Sequence, residues 1–209
     1  VADLLRPTLG LAVPWVGPSY RRALRTCIDV DREGTDPDRR RASRQLELAE
    51  HDLEYGRPGD ALETLTGIRT GSATIEARAL ALRGRAVLAL VDSARIDSDS
   101  ARVLHRGIAE DHAELVGRFG SVNPELRAAR AMTRIDAART ELQDAGGEPE
   151  DVTDLRAIAS DEALENAIRI KALLLRHDMR SVQAEGSDGE DALRLGPDLI
   201  EAMRIDATS

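Results

Sequence analysis

The sequence has 209 residues with 29 basic and 38 acidic side chains, which gives a formal net charge of -9 at pH 7. Hydrophobic residues make up 42% and charged residues 32%, a composition typical of a soluble, folded protein rather than a disordered one. The acidic balance argues against a general affinity for nucleic acid or anionic lipid, because excess positive charge drives both. Aromatic residues are only 2%, so the core must consist of Leu, Ile, Val and Ala, which favours packed helices over a β-sandwich.

Residues 1–18 form an apolar segment that prolines interrupt. Its apolar run is about half the length that a transmembrane helix needs, so no membrane insertion is predicted. It also lacks the basic region and cleavage pattern of a signal peptide. The lone Cys27 excludes an internal disulfide and favours a reducing, cytoplasmic compartment, and its apolar surroundings predict a buried thiol. A chain that begins with Val1 rather than Met raises the expectation of a fragment of a larger protein.

After this segment, apolar residues recur at three- and four-residue spacing, which predicts a series of about eight helices with short connections. A polar linker at 185–191 precedes a short C-terminal helical segment that Gly196 and Pro197 interrupt. No stretch alternates with period two for long enough to predict a sheet, so residues 1–209 are interpreted as one all-α domain. The predicted helices are 20–28, 37–53, 58–68, 73–90, 99–119, 124–142, 152–158 and 161–182.

Proline, glycine and capping residues mark several helix ends. Asp36 before Pro37 signals a helix start, and Asn123 before Pro124 repeats this signal. Gly56 can adopt the left-handed conformation that ends a helix, and a proline two residues later starts the next one. The second and third helices are therefore expected to form an antiparallel hairpin.

The stretch 48–68, "LAEHDLEYGRPGDALETLTGI", resembles a unit of the tetratricopeptide repeat family. The resemblance extends over about residues 44–114 and implies antiparallel helix pairs stacked as a superhelix, which in this family binds peptides or partner proteins on a groove. The residues that carry it in the first unit are Leu48, Ala49, Gly56, Ala61, Leu65 and Ile68, and in the second Leu80, Gly84, Ala101, His105 and Ile108.

The sequence also departs from this family pattern. Gln45 and Asp52 occupy two positions where the family has aromatic residues, and no regular period continues beyond Asn123. Two architectures stay open: a stacked superhelix similar to tetratricopeptide repeats, and an irregular helical bundle that contains one hairpin. Bacterial regulators that carry such repeats beside a catalytic domain are similar in style.

The register of the resemblance selects a candidate partner-binding surface. It places Glu50, Glu54, Arg78 and Arg85 on the groove-lining face of the first helix in each pair. Arg78 and Arg85 lie seven residues apart on one helix face, and guanidinium groups bind carboxylates of acidic or C-terminal peptides. The alternative is that both arginines are solvated and pair with neighbouring acidic residues.

The sequence contains no recognisable catalytic or metal motif. His105 and His112 are seven residues apart, about 10 Å along a helix, which is too far for one metal ion without other ligands. We find no phosphate-binding loop, nucleophile elbow or cysteine pair, so no catalytic residue, metal or cofactor is predicted. A basic cluster around Ser43 could contact phosphate, but intrahelical ion pairs such as Arg44 with Glu47 are the favoured interpretation.

The sequence therefore predicts a non-catalytic protein-protein interaction module, a scaffold or regulatory domain that binds a peptide or partner domain. The alternative is an all-α regulatory or enzymatic domain whose closed site is completed by another domain. A long concave groove with unpaired Arg78 and Arg85 would favour the first function, and a deep closed pocket with a buried His105 or His112 beside a carboxylate would favour the second. Partner identity and oligomeric state are not readable from the residues.

Overall fold

The computed structural model describes residues 16–30, 36–143, 152–185 and 196–207, and these ranges form helices without a strand. The predicted all-α fold class is confirmed. The predicted segment 1–18 and the linker 185–191 lie almost entirely outside the described residues. In chain order the helices are α1 (Val16–Val30), α2 (Pro37–Glu54), α3 (Pro58–Leu65), α4 (Ala73–Asp92), α5 (Ser98–Phe119), α6 (Pro124–Gln143), α7 (Val152–Ser160), α8 (Asn166–Glu185) and α9 (Gly196–Asp206).

Local residues explain several of these ends. Gly56 adopts the left-handed conformation (φ 68°) directly after α2, and Pro58 occupies the first turn of α3, as predicted. At the start of α6, the Asn123 side chain accepts a hydrogen bond from the Leu126 backbone N–H at 3.1 Å. Asp36 is left-handed (φ 58°) and makes no side-chain cap, so proline alone marks the start of α2.

Two helix starts differ from the prediction. Helix α1 begins at Val16, before Pro18, and α9 begins at Gly196, so that Pro197 lies in its first turn instead of interrupting it. Proline is compatible with both positions because the first backbone N–H groups of a helix have no partner within the helix.

The helices pack in a simple serial pattern. Each helix contacts the next one in chain order, and the even helices (α2, α4, α6 and α8) also pack against one another in series. No other pair of described helices makes more than marginal contact. The even helices therefore form a continuous row, and the odd helices (α1, α3, α5, α7 and α9) connect its members.

Side-chain contacts give the helix directions. Glu76 near the start of α4 pairs with Arg118 near the end of α5, so these two helices are antiparallel. Between α4 and α6, Thr74 contacts Glu125 near both helix starts, and Gly84 faces Thr133 farther along. Helices α4 and α6 therefore run in the same direction, with α5 returning between them.

The buried apolar residues form successive clusters along this row. One cluster joins α2, α3 and α4, a second joins α4, α5 and α6, and a third joins α6, α7, α8 and α9. A small cluster around Leu24 and Leu48 attaches α1 to α2, and Cys27 packs beside it only partly buried. Each cluster shares an even helix with its neighbour, so the even helices link the successive clusters along the row.

Candidate functional site

A groove with a volume of about 820 Å³ runs across three even helices. Every residue that lines it comes from α4, α6 or α8, and most are Leu, Ile, Met or Ala. The charged side chains among them are Arg85 of α4, Asp136 and Arg139 of α6, and Lys171 and Asp178 of α8. Lys171 is the only lysine in the chain.

Gly84 allows α4 and α6 to approach closely beside this groove. A Cβ atom at Gly84 would lie 3.2 Å from Asp136 Oδ2 and 3.2 Å from Thr133 Cγ2, which is tighter than ordinary van der Waals contact. Glycine at this position therefore leaves the space that the Asp136 carboxyl group occupies.

Asp136 is buried without a hydrogen-bond partner. Its residue is only 7% exposed, and Oδ2 contacts no donor in the part of the chain that the structure describes. Burial raises the pKa of Asp136 from 3.8 to about 6, although the positive charges of Lys171, Arg85 and Arg139 act in the opposite direction. The carboxyl group thus changes charge close to neutral pH.

The other buried carboxylates of the described helices are satisfied differently. Each binds an arginine from a neighbouring helix. Burial opposes the ionisation of Glu76, but hydrogen bonds from Thr70, Gly71 and Arg118 hold its pKa below the ordinary value. Asp136 has no such partner, and an unsatisfied buried acid that borders a groove is a functional-site candidate. The three pairs are Asp52 with Arg21 at 2.5 Å, Glu76 with Arg118 at 2.7 Å, and Asp198 with Arg176 at 3.0 Å.

Three cations surround Asp136 without pairing to it or to another group. Arg85, Arg139 and Lys171 are exposed and make no hydrogen bond or ion pair with any described residue. Each of them attracts the Asp136 carboxylate electrostatically at longer range. Unpaired arginine and lysine side chains at a groove can bind an anionic group of a ligand.

The structure separates the four residues that the sequence selected for partner binding. Arg78 donates two hydrogen bonds to Glu50 Oε1, at 2.5 and 3.1 Å, and so already has a carboxylate partner. Arg85 lies two helical turns farther along α4 and lines the groove. Glu54 is exposed at the end of α2 and does not line it. Elsewhere on α2, the predicted pair of Arg44 with Glu47 is present at 3.2 Å.

The two histidines on α5 are held by groups other than carboxylates. Nε2 of His105 lies 3.3 Å from Thr140 Oγ1, and Nε2 of His112 lies 3.1 Å from the Leu126 carbonyl oxygen. Burial lowers the pKa of His105 to about 4, so its ring is neutral at physiological pH. The described residues contain no group of three or more His, Cys, Asp or Glu side chains that could hold a metal ion.

Sequence reasoning selected Arg85 but missed the rest of the groove. Asp136 follows Ile135 directly on α6, and an acidic residue four positions after Met132 on an apolar face was the available signal. The single lysine was a second signal, because Lys171 is the one basic residue of the sequence that is not an arginine. Arg139 carries no distinguishing sequence feature.

Within the described residues, no helix combines the length and the apolar character needed to cross a bilayer. Comparison of the chain with protein-family models, with curated proteins and with solved structures finds no match. The resemblance to tetratricopeptide repeats therefore stays a prediction, and the groove itself provides the argument about function.

Proposed function

We propose that this chain is a non-catalytic interaction module that binds a peptide or a segment of a partner protein in the groove across α4, α6 and α8. The observation that carries this proposal is the convergence on one apolar groove of three cations that pair with no described residue, Arg85, Arg139 and Lys171. Arg78 of the same helix, by contrast, already has an acidic partner in Glu50. A carboxylate from a bound peptide would supply the missing partner here.

The apolar part of the groove supports a peptide rather than a simple anion. Leu174 lies in the lining and is 42% exposed, so a bound apolar side chain would remove it from water. The volume of about 820 Å³ is in the range of sites that enclose a small ligand or a few side chains. An acidic segment with apolar residues fits both features.

The serial packing of the helices supports a stack similar to tetratricopeptide repeats, in which one row of helices lines a binding surface. The even helices begin at residues 37, 73, 124 and 166, so their starts are 36, 51 and 42 residues apart. The family repeats about every 34 residues, so only the first interval is close to that period. We propose an irregular repeat stack with a cytoplasmic scaffold or regulatory role.

Binding of synthetic peptides tests this function directly. One pool of short, amidated peptides contains random Leu, Ala, Gly and Glu, and a matched pool contains Gln in place of Glu. Each pool carries a dye whose emission does not depend on pH, and binding is measured by fluorescence anisotropy. We expect the Glu pool to bind at low salt and the Gln pool to bind at least tenfold more weakly, because only Glu can pair with the cations.

A pair of double variants locates the binding surface. Arg85→Glu with Arg139→Glu reverses the charge of the groove, whereas Arg106→Glu with Arg156→Glu makes the same charge change on exposed positions of α5 and α7. Loss of binding in the first variant and retention in the second would support the groove. Equal loss in both would show nonspecific charge attraction and would contradict the proposal, as would failure of the Glu pool to bind.

A further inference from the structure

Asp136 is the feature of the groove that carboxylate binding by the cations does not explain. An ionised Asp136 would repel a ligand carboxylate, yet its Oδ2 is buried beside the groove, and no described residue donates a hydrogen bond to it. A carboxyl group in the protonated form instead has an O–H that can donate a hydrogen bond to a carboxylate.

We propose that Asp136 is a proton-coupled ligand contact: on binding it takes one proton from solvent and, as the neutral acid, donates a hydrogen bond to a carboxylate of the bound peptide. This inference rests on the proposed function of the groove. The same ligand carboxylate lies between the positive charges of Arg85, Arg139 and Lys171. Where Asp136 is ionised in the free protein, one proton is consumed for each carboxylate bound, and no covalent bond to the ligand forms.

The charges around Asp136 favour a carboxylate over a cationic ligand group. With Asp136 neutral, the groove contains three positive side chains and the negative Asp178. A lysine or arginine of a ligand that approached Asp136 would meet the repulsion of three cations. A carboxylate is attracted by all three, and the proton on Asp136 leaves Asp178 as the one negative side chain among the residues that line the groove.

Helices α4, α5, α7 and α8 pack against α6 and bring other charged and titratable groups near it. Helix α4 presents Arg85, and α8 presents Lys171 and Asp178, while α6 itself adds Arg139. On the α5 side, His105 contacts Thr140, and burial keeps it neutral by lowering its pKa to about 4. His112, also of α5, contacts Leu126 ten residues before Asp136, and burial lowers its pKa too. On the α7 side, Asp154 pairs with Arg134. Of these groups, Asp136 is the one whose pKa is shifted to about 6.

The proposal therefore has a defined pH dependence. Below pH 6 the free protein already holds the proton on Asp136, and above pH 6 binding must include proton uptake. The dissociation constant should increase about tenfold for each pH unit above 6, or roughly a hundredfold between pH 6 and 8. Ordinary ligand carboxylates stay ionised above pH 5, so they contribute little to this slope.

Two substitutions distinguish the effect of proton uptake by Asp136 from the effect of its hydrogen bond to the ligand. Asp136→Asn supplies a permanent neutral donor of nearly the same shape, and Asp136→Ala removes the donor. The Glu peptide pool is titrated from pH 5 to pH 8 at constant ionic strength against both variants and the unmodified chain. We expect the Asn variant to bind with little pH dependence and to match at pH 8 the affinity of the unmodified chain at pH 5. The Ala variant should be pH-independent and at least tenfold weaker.

The possible failures are distinguishable. If the unmodified chain binds the Glu pool equally at pH 5 and pH 8, the proton-coupled contact is excluded while the interaction function stands. If affinity decreases below pH 6 and the Asn variant loses binding, Asp136 accepts a hydrogen bond as a carboxylate, and the proposal is overturned. If no pool binds at any pH, the proposed function itself fails together with this inference.

Discussion

The stability of the Asp136→Asn variant tests the account of this buried acid without a ligand. The pKa of Asp136 is about 6 in the folded protein and 3.8 when unperturbed. Between these values the folded state binds more protons than the unfolded state, so the stability of the unmodified chain falls as pH rises through this window. The difference corresponds to about 3 kcal/mol at pH 8. Asparagine does not titrate and avoids this loss.

We therefore expect the free energy of unfolding of the Asn variant, relative to the unmodified chain, to increase by about 2 to 3 kcal/mol from pH 4 to pH 8. Urea unfolding followed by far-ultraviolet circular dichroism measures this difference. Equal dependence of the unfolding free energy on urea concentration shows that the two chains expose the same surface area when they unfold. Other titrating groups are common to both chains and cancel. Parallel curves for the two chains would show that Asp136 is satisfied in the fold, and the reasoning about the groove would lose its basis.

Three further substitutions test other contacts of the helix stack. Glu76→Ala removes the buried partner of Arg118 and of two backbone N–H groups, and should lower the free energy of unfolding by about 3 to 5 kcal/mol in urea titrations. Gly84→Val places a side chain against Asp136 and should lower the free energy of unfolding by about 1 to 3 kcal/mol in the same assay. Its matched control, Gly107→Val, points into open space on α5, where a change within about 0.5 kcal/mol is expected, and equal effects at both glycines would refute the close approach. For His105→Leu, the loss of stability as pH falls from 6.5 towards 4 should be smaller than in the unmodified chain, because the buried neutral ring of the unmodified chain resists protonation there; an unchanged acid-unfolding profile by circular dichroism would contradict this.

The sequence by itself determined the helices and many of their ends, because these depend on interactions between residues close in the chain. The left-handed Gly56, Pro58 in the first turn of α3 and the Asn123 cap act within a few residues of their own position. The spacing of apolar residues likewise predicted most of the helices, and residues at this spacing, such as Ala79, Leu82 and Ala86 on α4, are buried.

The sequence could not show which polar residues would be buried or paired. Arg78 appeared equivalent to Arg85, but Glu50 of α2 lies within hydrogen-bond distance of Arg78 only after the even helices pack. Asp52 stands where the resembled family has an aromatic residue, and its burial depends on an arginine of α1. Such pairs join residues that are tens of positions apart, and their distances depend on helix packing rather than on local periodicity.

The groove depends on the tertiary structure in the same way. Arg85, Asp136 and Lys171 belong to three helices, and no local pattern links them. They meet because α4, α6 and α8 pack in series and because Gly84 leaves room for the Asp136 carboxyl group. Helix formation follows from backbone hydrogen bonds four residues apart, whereas the position and charge of a groove follow from how complementary helix surfaces fit together.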